Sequence, residues 1–486
     1  MKKRFWQNAA ILTGCTLLLN AVSMGVRVFQ SALLGAEGIG LMQLTLSVYY
    51  VAVNFALGGL NLAVTRLVSE QVPARAVLRK CRRLAAVTGW SAGLGLFLLA
   101  PQIGVFLHDI RSVLMLRILA IGIPPCASAS CCRGYYIAVR RTWTVGVGSI
   151  VEQTAVTAAL FALLPAWAPA GAEKSCAAVA VASVVGDWVG YFWTALWIRH
   201  DLRQNKQIGS VSYRQIGAIA FPVALGYNLR SALVAVENAL IPAGLHRCGQ
   251  SEAESLASYG VVKGMVLPTL AFPSALLAPI AQLLVPEVAE SRVRGDCADI
   301  TQMADRAVKR CLIFAIGVAA VFAVFGDAIG QALYQNPEAG CLMRWLCPLI
   351  PVMYLDSIVD AMLKGMDEQL YSLKINLSDS AFRILWIVLF VPKWGVTGYC
   401  IAFAAGVLYN GTLSIRRLLT RSRLRISKRF LCTVTVCAFD AVLWSNALIR
   451  ASGAVALCAR IVLSVVFYGG FLILCEILPA KKPLCG

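Results

Sequence analysis

Fourteen long apolar segments alternate with short polar segments, and no other feature of this chain limits its folds as strongly. A bilayer core about 30 Å thick requires about 20 mostly apolar residues in a helix. Only helices and closed barrels satisfy their own backbone polar groups in hydrocarbon, and these segments are too long and too continuously apolar for barrel strands. We therefore predict an all-α polytopic membrane protein. The predicted spans lie near residues 6–30, 39–65, 84–106, 112–137, 142–164, 175–198, 215–242, 253–285, 307–326, 341–363, 369–391, 394–415, 430–449 and 454–477.

Positive charge falls at every second junction between these segments. If the N-terminus is cytoplasmic, 31 of the 44 lysines and arginines lie in inner segments and six lie in outer segments. The positive-inside rule predicts this asymmetry, and a missed or extra span would invert it. We therefore predict a multi-pass protein of the bacterial cytoplasmic (inner) membrane with both termini in the cytoplasm. The net charge of +20 then indicates contact with anionic membrane lipids rather than nucleic acid.

The chain lacks the sequence patterns of a disulfide scaffold, a zinc site or a nucleotide-hydrolysing motor. Most of its 17 cysteines lie inside predicted spans, where cysteine behaves as a small apolar residue. None of the three histidines stands at zinc-binding spacing from Cys126, Cys131 and Cys132. A phosphate-binding loop of the form G-x-x-x-x-G-K-S/T is also absent from the sequence. We therefore expect no cofactor and no metal, with transport driven by a Na⁺ or H⁺ gradient, the membrane potential or downhill substrate flow.

The chain weakly repeats itself across a polar segment at 199–214. The second span ends in Thr65-Arg66-Leu67-Val68-Ser69-Glu70, and the eighth ends in Leu283-Leu284-Val285-Pro286-Glu287. Transporters are often built from such repeated units, with the substrate site between them. The predicted divisions are an N-lobe at 1–198, a cytoplasmic linker at 199–214, a C-lobe at 215–415, a basic cytoplasmic loop at 416–429, and two final spans with the tail at 430–486.

Basic side chains inside the predicted spans are candidates for binding an anion, because ionisable residues are costly in a membrane. Arg27 follows Asn20 and Ser23 at spacings that place all three on one face of the first span. Arg230 lies on the seventh span, which the repeat relates to the first, and Lys263 lies on the eighth. We predict that Asn20, Arg27, Arg230 and Lys263 line one cavity suited to a pyrophosphate or another polyanion. Alternatively, each arginine pairs with a carboxylate or extends to the interface and only shapes the bundle.

Carboxylate and amide side chains of the second half are candidates for ion coupling, because their oxygens suit a hard cation or a proton relay. The predicted ion-coupling residues are Glu237, Asp356, Asp360, Asn376 and Asp379. The two aspartates of the tenth span share one face, and Glu237 on the seventh span is expected to face the eleventh. Alternatively, Asp379 and Arg383 form a buried pair that neutralises itself.

Several junctions resemble the polysaccharide transporter branch of the MOP flippase superfamily. The segment Leu34-Gly35-Ala36-Glu37-Gly38-Ile39-Gly40-Leu41 follows the first span, and Leu284-Val285-Pro286-Glu287-Val288-Ala289-Glu290 ends the eighth. The run from Tyr354 to Met366 is similar as well. Its continuation, Gln369 to Tyr399, most resembles the stage V sporulation protein B subgroup. The similarity extends over essentially the whole chain.

This resemblance implies a MATE-like fold with two six-helix lobes in a V, two accessory helices and alternating access. It implies a flippase that moves lipid-linked oligosaccharides, including peptidoglycan precursors on a polyprenyl pyrophosphate, from the inner to the outer leaflet. Its partners would be that lipid-linked anionic glycan, membrane lipids and proteins of envelope or spore-wall synthesis. Arg27 matches an arginine position of the subgroup, whereas Asn20 and Ala32 stand where arginines are frequent.

Two other functions remain open from the sequence. A cation-coupled multidrug exporter of the same fold would require carboxylates and aromatic side chains in its cavity. A membrane-embedded enzyme or scaffold of envelope synthesis would normally carry a catalytic motif in a large soluble loop, and the loops between the predicted spans are short and show none. The basic residues on spans one, seven and eight favour the flippase, and we expect no enzymatic activity.

Overall fold

The computed structural model describes residues 2–204, 210–422, 427–449 and 453–475, and in these ranges the chain is all-helical, as predicted. Parts of the predicted linker, of the basic loop and of the C-terminal tail lie outside the described residues. The helices are α1 (Lys2–Leu57), α2 (Leu60–Ser69), α3 (Ala74–Phe106), α4 (Ser112–Ala120), α5 (Ile123–Ala138), α6 (Thr142–Trp167), α7 (Ala172–Gln204), α8 (Tyr213–Arg247), α9 (Glu252–Gly260), α10 (Leu267–Ala271), α11 (Ala278–Val293), α12 (Cys297–Tyr334), α13 (Pro337–Leu346), α14 (Ile350–Gly365), α15 (Gln369–Ser422), α16 (Lys428–Leu448) and α17 (Ala454–Leu474).

Eleven described helical segments are long and apolar enough to cross a membrane, or twelve if α4 and α5, which meet at 46°, form one bent span. Two of these segments, α1 and α15, are longer than a bilayer is thick, and each contains a glycine with non-helical backbone. Gly35 has φ 68° and Gly395 has φ 58°, a left-handed region that glycine adopts without steric cost. Each arm on either side reaches the length of a span, so counting the arms separately and α4 with α5 as one bent span would give the predicted fourteen, but that number stays a prediction.

The chain forms two compact units. Unit one comprises Met1–Gly260 with Val391–Gly395, and unit two comprises Val261–Phe390 with Val396–Gly486. Unit one therefore contains α1 to α9, whereas unit two contains α10 to α14, most of α15, α16 and α17. The predicted lobes at 1–198 and 215–415 describe a repeat rather than a contact unit, and they stay a prediction.

Close contacts at glycines hold the helices of unit one together. A Cβ atom on Gly40 of α1 would overlap the carbonyl oxygen of Leu256 on α9, and a Cβ atom on Gly260 would overlap the carbonyl oxygen of Ala36. Small residues at helix crossings permit this close backbone approach, which is the usual packing device of membrane helices. The α1–α9 crossing therefore depends on glycine from both helices.

At the start of unit two, the helix type changes from π-helical to α-helical to 3₁₀ before α11, and two prolines lie in this stretch. Residues Val261–Val266 form a π-helical turn, α10 follows, and Phe272–Leu276 form a 3₁₀ turn before α11. Pro268 and Pro273 each stand at the start of one of these short elements, where the missing backbone N–H costs least. Further along, α17 docks on α12 through Tyr468, whose hydroxyl donates to the carbonyl oxygen of Ile313 at 2.8 Å.

Candidate functional site

A cavity of about 430 Å³ lies between α1, α2, α5 and α8 in unit one. Its polar lining carries no charge, and consists of Asn54, Asn61, Thr65, Ser130 and Tyr227. Amides and hydroxyls both donate and accept hydrogen bonds. The lining therefore suits neutral polar groups such as sugar hydroxyls.

A turn between helices α1 and α2 forms part of the wall of this cavity. Gly58 and Gly59 have φ values of 49° and 68°, so the backbone turns here in a conformation that favours glycine. A Cβ atom on Gly59 would lie 2.7 Å from the carbonyl oxygen of Ala220, so glycine also permits the approach of α8. Beyond the turn, the Thr65 hydroxyl donates to the carbonyl oxygen of Gly134 at 3.0 Å and fixes α2 on α5.

Of the predicted substrate residues, Arg230 lies on α8, which borders the cavity, and Arg27 lies on the first arm of α1, before the break at Gly35. Arg27 is half-buried on α1 and lies within electrostatic range of Tyr50, which stands one turn before Asn54. Arg230 is exposed on α8, three residues after Tyr227 and therefore on the same helical face. Within the described part of the chain, Arg230 forms no ion pair. Unit one thus combines an uncharged polar cavity with the Arg230 guanidinium on the bordering helix α8 and the Arg27 guanidinium within electrostatic range of Tyr50.

The other two predicted substrate residues differ in their surroundings. Asn20 is half-buried on α1, two turns before Arg27. Lys263 is half-buried in the π-helical turn Val261–Val266 of unit two. Such turns are rare and frequently occur at functional sites. Because Lys263 belongs to the other unit, a cavity shared by all four residues stays a prediction.

Two predicted ion-coupling residues on α14 already have partners within unit two. The carboxylate of Asp360 accepts a hydrogen bond from the Ser372 hydroxyl and pairs with the Lys364 ammonium at 2.6 Å. The carboxylate of Asp356 accepts from the Asn410 amide at 3.5 Å. Both aspartates therefore face α15, on which the other candidates of this unit lie.

The buried Asp379–Arg383 pair, one of the two alternatives left open by the sequence, is observed. The two side chains are 2.8 Å apart and lie one turn apart on α15. Gly406 on the second arm of α15 packs against both, because a Cβ atom there would overlap Arg383 and lie 3.0 Å from Asp379 Oδ1. Asn376, one turn before Asp379, donates from its amide to the carbonyl oxygen of Ser372 at 2.9 Å.

Glu237, the remaining ion-coupling candidate, is 2% exposed on α8 and lies in unit one. Its predicted position opposite Asp379 stays a prediction, because the two residues belong to different units. Over residues 2–204, 210–422, 427–449 and 453–475, no group of three or more histidine, cysteine or acidic residues could hold a metal ion.

Sequence reasoning missed a cluster of charged residues in unit one. Arg133 of α5 pairs with Glu152 of α6 at 3.2 Å. Asp187 of α7 lies near the Tyr49 hydroxyl and the Cys126 thiol, and it interacts electrostatically with Arg133 and Glu152. The cluster therefore has one guanidinium for two carboxylates. The signal in the sequence was the presence of acidic residues inside the fifth and sixth predicted spans, but nothing there indicated that they meet.

Two glycines leave space for the two carboxylates of this cluster. A Cβ atom on Gly122 would lie 2.6 Å from Asp187 Oδ2, and one on Gly190 would lie 2.7 Å from Glu152 Oε2. Each carboxylate is thus packed directly against the backbone of a neighbouring helix. Substitution of either glycine would displace a charged side chain rather than an apolar one.

The glycine-rich junction at 34–41 has a structural role in unit one. Glu37 accepts a hydrogen bond from the Arg111 guanidinium at 2.7 Å, and Arg111 also donates to Asp109 at 2.7 Å. Asp109 and Glu37 raise the pKa of the Arg111 guanidinium above its ordinary value. Together with the α1–α9 crossing at Gly40, these contacts tie the junction to the loop between α3 and α4.

Comparison with known proteins gives consistent matches. Residues 5–241 match the model of a family described as "Polysaccharide biosynthesis protein". Stage V sporulation protein B of Bacillus subtilis (strain 168) is 20% identical over 426 residues, which cover 84% of this chain and 82% of that protein. Lipid II flippase MurJ of the same organism is 21% identical over 464 residues, which cover 86% of this chain and 83% of that protein.

Solved structures share the fold. A structure of lipid II flippase MurJ in an inward closed conformation superposes with a TM-score of 0.68 at 11% identity, covering 94% of this chain and 100% of that chain. An inward-facing multidrug resistance MATE family transporter of the MOP superfamily gives a TM-score of 0.65 at 13% identity. The superposition covers 86% of this chain and 100% of that chain. These likenesses confirm the predicted MATE-like helical fold.

Proposed function

We propose that this chain is a flippase for a lipid-linked glycan, of the polysaccharide transporter branch of the MOP flippase superfamily; its match to the polysaccharide biosynthesis family and its similarity to stage V sporulation protein B and lipid II flippase MurJ support this. Its substrate would be an oligosaccharide or a peptidoglycan precursor on a polyprenyl pyrophosphate. Movement from the inner to the outer leaflet would proceed by alternating access, in the synthesis of a cell envelope or spore wall. The protein would lie in the cytoplasmic membrane with both termini inside.

One observation carries this proposal: unit one has an uncharged polar cavity, with Arg230 on its bordering helix α8 and Arg27 within electrostatic range of Tyr50, one turn before the lining residue Asn54. A lipid-linked glycan presents two chemistries side by side, neutral sugar hydroxyls and an anionic diphosphate. Amides and hydroxyls match the first, and guanidinium groups match the second through paired hydrogen bonds. A cationic drug would be repelled by the same arginines.

The remaining predicted residues take secondary roles in this proposal. Lys263 would add a third cation from unit two, and Asn20 would extend the polar face of α1 beyond Arg27. Coupling to a Na⁺ or H⁺ gradient would use Asp356, Asp360, Asn376 and Asp379 of unit two together with Glu237. In this scheme the ion must compete with Lys364 and Arg383, which neutralise two of these carboxylates.

A cation-coupled multidrug exporter is the second candidate, and the cluster of Asp187, Glu152 and Arg133 favours it. Two carboxylates with one guanidinium leave unit one with acidic groups inside its helices, which a cationic substrate would prefer. The exporter would use this cluster in place of Arg27 and Arg230. The two candidates therefore predict opposite effects of removing basic and acidic residues.

Transport by reconstituted protein separates the two candidates. Proteoliposomes would be loaded with a fluorescent polyprenyl-diphosphate-linked glycan, and its transbilayer movement followed with a membrane-impermeant quencher. Parallel vesicles would test uptake of a cationic dye. Movement of the glycan lipid without dye transport supports the flippase, whereas dye transport without movement of the glycan lipid overturns it in favour of the exporter.

A further inference from the structure

A second cavity of unit one, of about 400 Å³, lies between α3, α5 and α7 at the end that the charge pattern predicts to be cytoplasmic. Its basic lining consists of Arg75, Arg79, Arg82 and Arg83 of α3. The rest of the wall consists of Leu78, Ala86, Ser128, Tyr191 and Leu202. This cavity is separate from the polar cavity described above, with which it shares no lining residue.

The four arginines are not neutralised by acidic side chains. In the part of the chain that the structure describes, none of them forms an ion pair. The one carboxylate of α7 at this end, Asp201, is 8% exposed and pairs with Arg141 at 3.0 Å. Arg82 instead has its Nη2 atom 3.5 Å from the Tyr191 hydroxyl, a neutral partner. Among the described residues, no carboxylate pairs with these arginines, so the lining of the cavity is net positive.

The neighbouring basic residue of α3 has other partners, whereas Arg75, Arg79 and Arg83 are exposed and Arg82 is half-buried. Lys80 donates to the carbonyl oxygen of Val211 at 2.5 Å and lies over the ring of Tyr213, with its Nζ atom 4.6 Å from the ring centroid. The Lys80 ammonium therefore binds residues around the start of α8 and not the cavity. Arg75, Arg79 and Arg82 recur at helical spacing on another face of α3, and this face forms the cavity wall.

Helix geometry sets how far the arginines are spread along the site. The rise of 1.5 Å per residue places Arg75 and Arg83 about 12 Å apart along the helix axis. Below the arginines, Ala86 and Leu202 supply small and apolar wall atoms. A ligand that fits both parts has a phosphate group at one end and hydrocarbon at the other. Guanidinium groups bind phosphate through paired hydrogen bonds.

We propose that this cavity binds the phosphate headgroup of an anionic phospholipid of the inner leaflet. Basic pockets between membrane helices on the cytoplasmic side are suited to such headgroups. The phosphate of the bound lipid partly offsets the repulsion among four like charges on α3, and its acyl chains extend along the apolar wall. The site does not depend on the proposed transport function, and its test is a binding measurement on the full chain.

Native mass spectrometry of the detergent-purified protein tests this proposal with three probes: phosphatidylglycerol, phosphatidylcholine and inorganic pyrophosphate. The informative variant is Arg79→Gln with Arg82→Gln. The matched control, Arg306→Gln with Arg416→Gln, removes the same charge from exposed sites in unit two. We expect phosphatidylglycerol to be retained over phosphatidylcholine, with affinity falling about tenfold or more in the first variant and less than about twofold in the control.

Two further variants separate lost binding from lost folding. Arg79→Lys with Arg82→Lys keeps the charge and should retain an intermediate affinity, and Tyr191→Phe should weaken binding by a smaller factor. Each variant should unfold within a few degrees of the wild type. Equal retention of phosphatidylglycerol by the wild type and the Arg79→Gln, Arg82→Gln variant overturns the proposal. Competition by inorganic pyrophosphate as effective as by the lipid would overturn the lipid assignment in favour of a free anion.

Discussion

The guanidinium of Arg383 lies 2.8 Å from the carboxylate of Asp379, and both side chains are largely buried in unit two. A cation that uses Asp379 as a ligand must therefore displace or share its arginine. Removing one partner of a buried ion pair leaves the other charge uncompensated, which costs about 3–5 kcal/mol. This pair decides whether Asp379 is an ion-coupling residue or only structural.

Asp379→Asn is expected to abolish the dependence of transport on a Na⁺ or H⁺ gradient if the proposed coupling uses this residue. Arg383→Gln and Asp379→Asn should each lower thermal stability, and the double variant should regain part of the loss, because the two residues act as one unit. Gradient dependence is measured in proteoliposomes, and stability in detergent. Unchanged gradient dependence in a folded Asp379→Asn protein would mean that the pair is architectural.

Arg133→Gln is expected to destabilise unit one by about 1–3 kcal/mol, because it leaves Glu152 with an unsatisfied charge next to Asp187. Adding Glu152→Gln should restore part of that loss. Thermal unfolding in detergent measures both effects, with Arg344→Gln as a control that breaks an exposed pair with Asp327. Equal losses in Arg133→Gln and Arg344→Gln would contradict a role for the cluster in stability.

Gly40→Ala is expected to destabilise the protein by about 1–3 kcal/mol, because the new methyl group would overlap the carbonyl oxygen of Leu256 on α9. Gly95→Ala on α3 is the matched control, since nothing lies within 4 Å of its Cβ position. Alanine is also the better helix former, so the control should be neutral or slightly stabilising. A thermal shift measures both, and similar melting temperatures would contradict the α1–α9 crossing.

Glu368, just before α15, links stability to pH. Its carboxylate pairs with Arg417 at 2.8 Å and with Arg421 at 2.7 Å. These arginines hold the pKa of Glu368 below its ordinary value of 4.5. A lowered folded-state pKa stabilises the protein above pH 4.5, and this contribution is lost as the pH falls through the folded-state value.

Glu368→Gln should therefore lower stability at neutral pH and have a smaller effect in acid. Unfolding is compared at pH 7 and at the lowest pH at which the wild type stays soluble, with Glu290→Gln as a control for an exposed pair. A loss of equal size at both pH values would show that the charge of Glu368 is not responsible.

Hydropathy and charge predicted the helical class and the approximate spans of this chain, because burying apolar residues in a bilayer dominates the fold, whereas the resemblance of its junction segments indicated its relatives. Ion pairs between residues four apart, such as Asp379–Arg383 and Asp360–Lys364, can also be predicted from the sequence, because helical spacing alone brings the two side chains together. The Arg133–Glu152–Asp187 cluster could not be predicted from the sequence, because three separate helices contribute to it. Neither the φ value of Gly395 nor the π-helical turn that holds Lys263 has a signature in composition.

The arginine cavity illustrates the same limit. The spacing of Arg75, Arg79 and Arg82 along α3 could be read from the sequence. That Tyr191 of α7 faces them, while Lys80 is used elsewhere, depends on how α3 and α7 pack. Residue spacing in the sequence shows which side chains share a face of a helix, whereas the packing of helices determines which residues that face contacts.

The central claim, that Arg27 helps to bind an anionic lipid-linked glycan, is tested most directly by the affinity of the purified protein for a polyprenyl-diphosphate-linked precursor. Arg27→Ala should weaken binding about ten- to a hundredfold, because a charged hydrogen bond in a partly desolvated site contributes about 1.5–3 kcal/mol. Arg27→Lys should retain part of the affinity, since it keeps the charge but loses the planar fork. Wild-type affinity in a correctly folded Arg27→Ala protein would contradict the account.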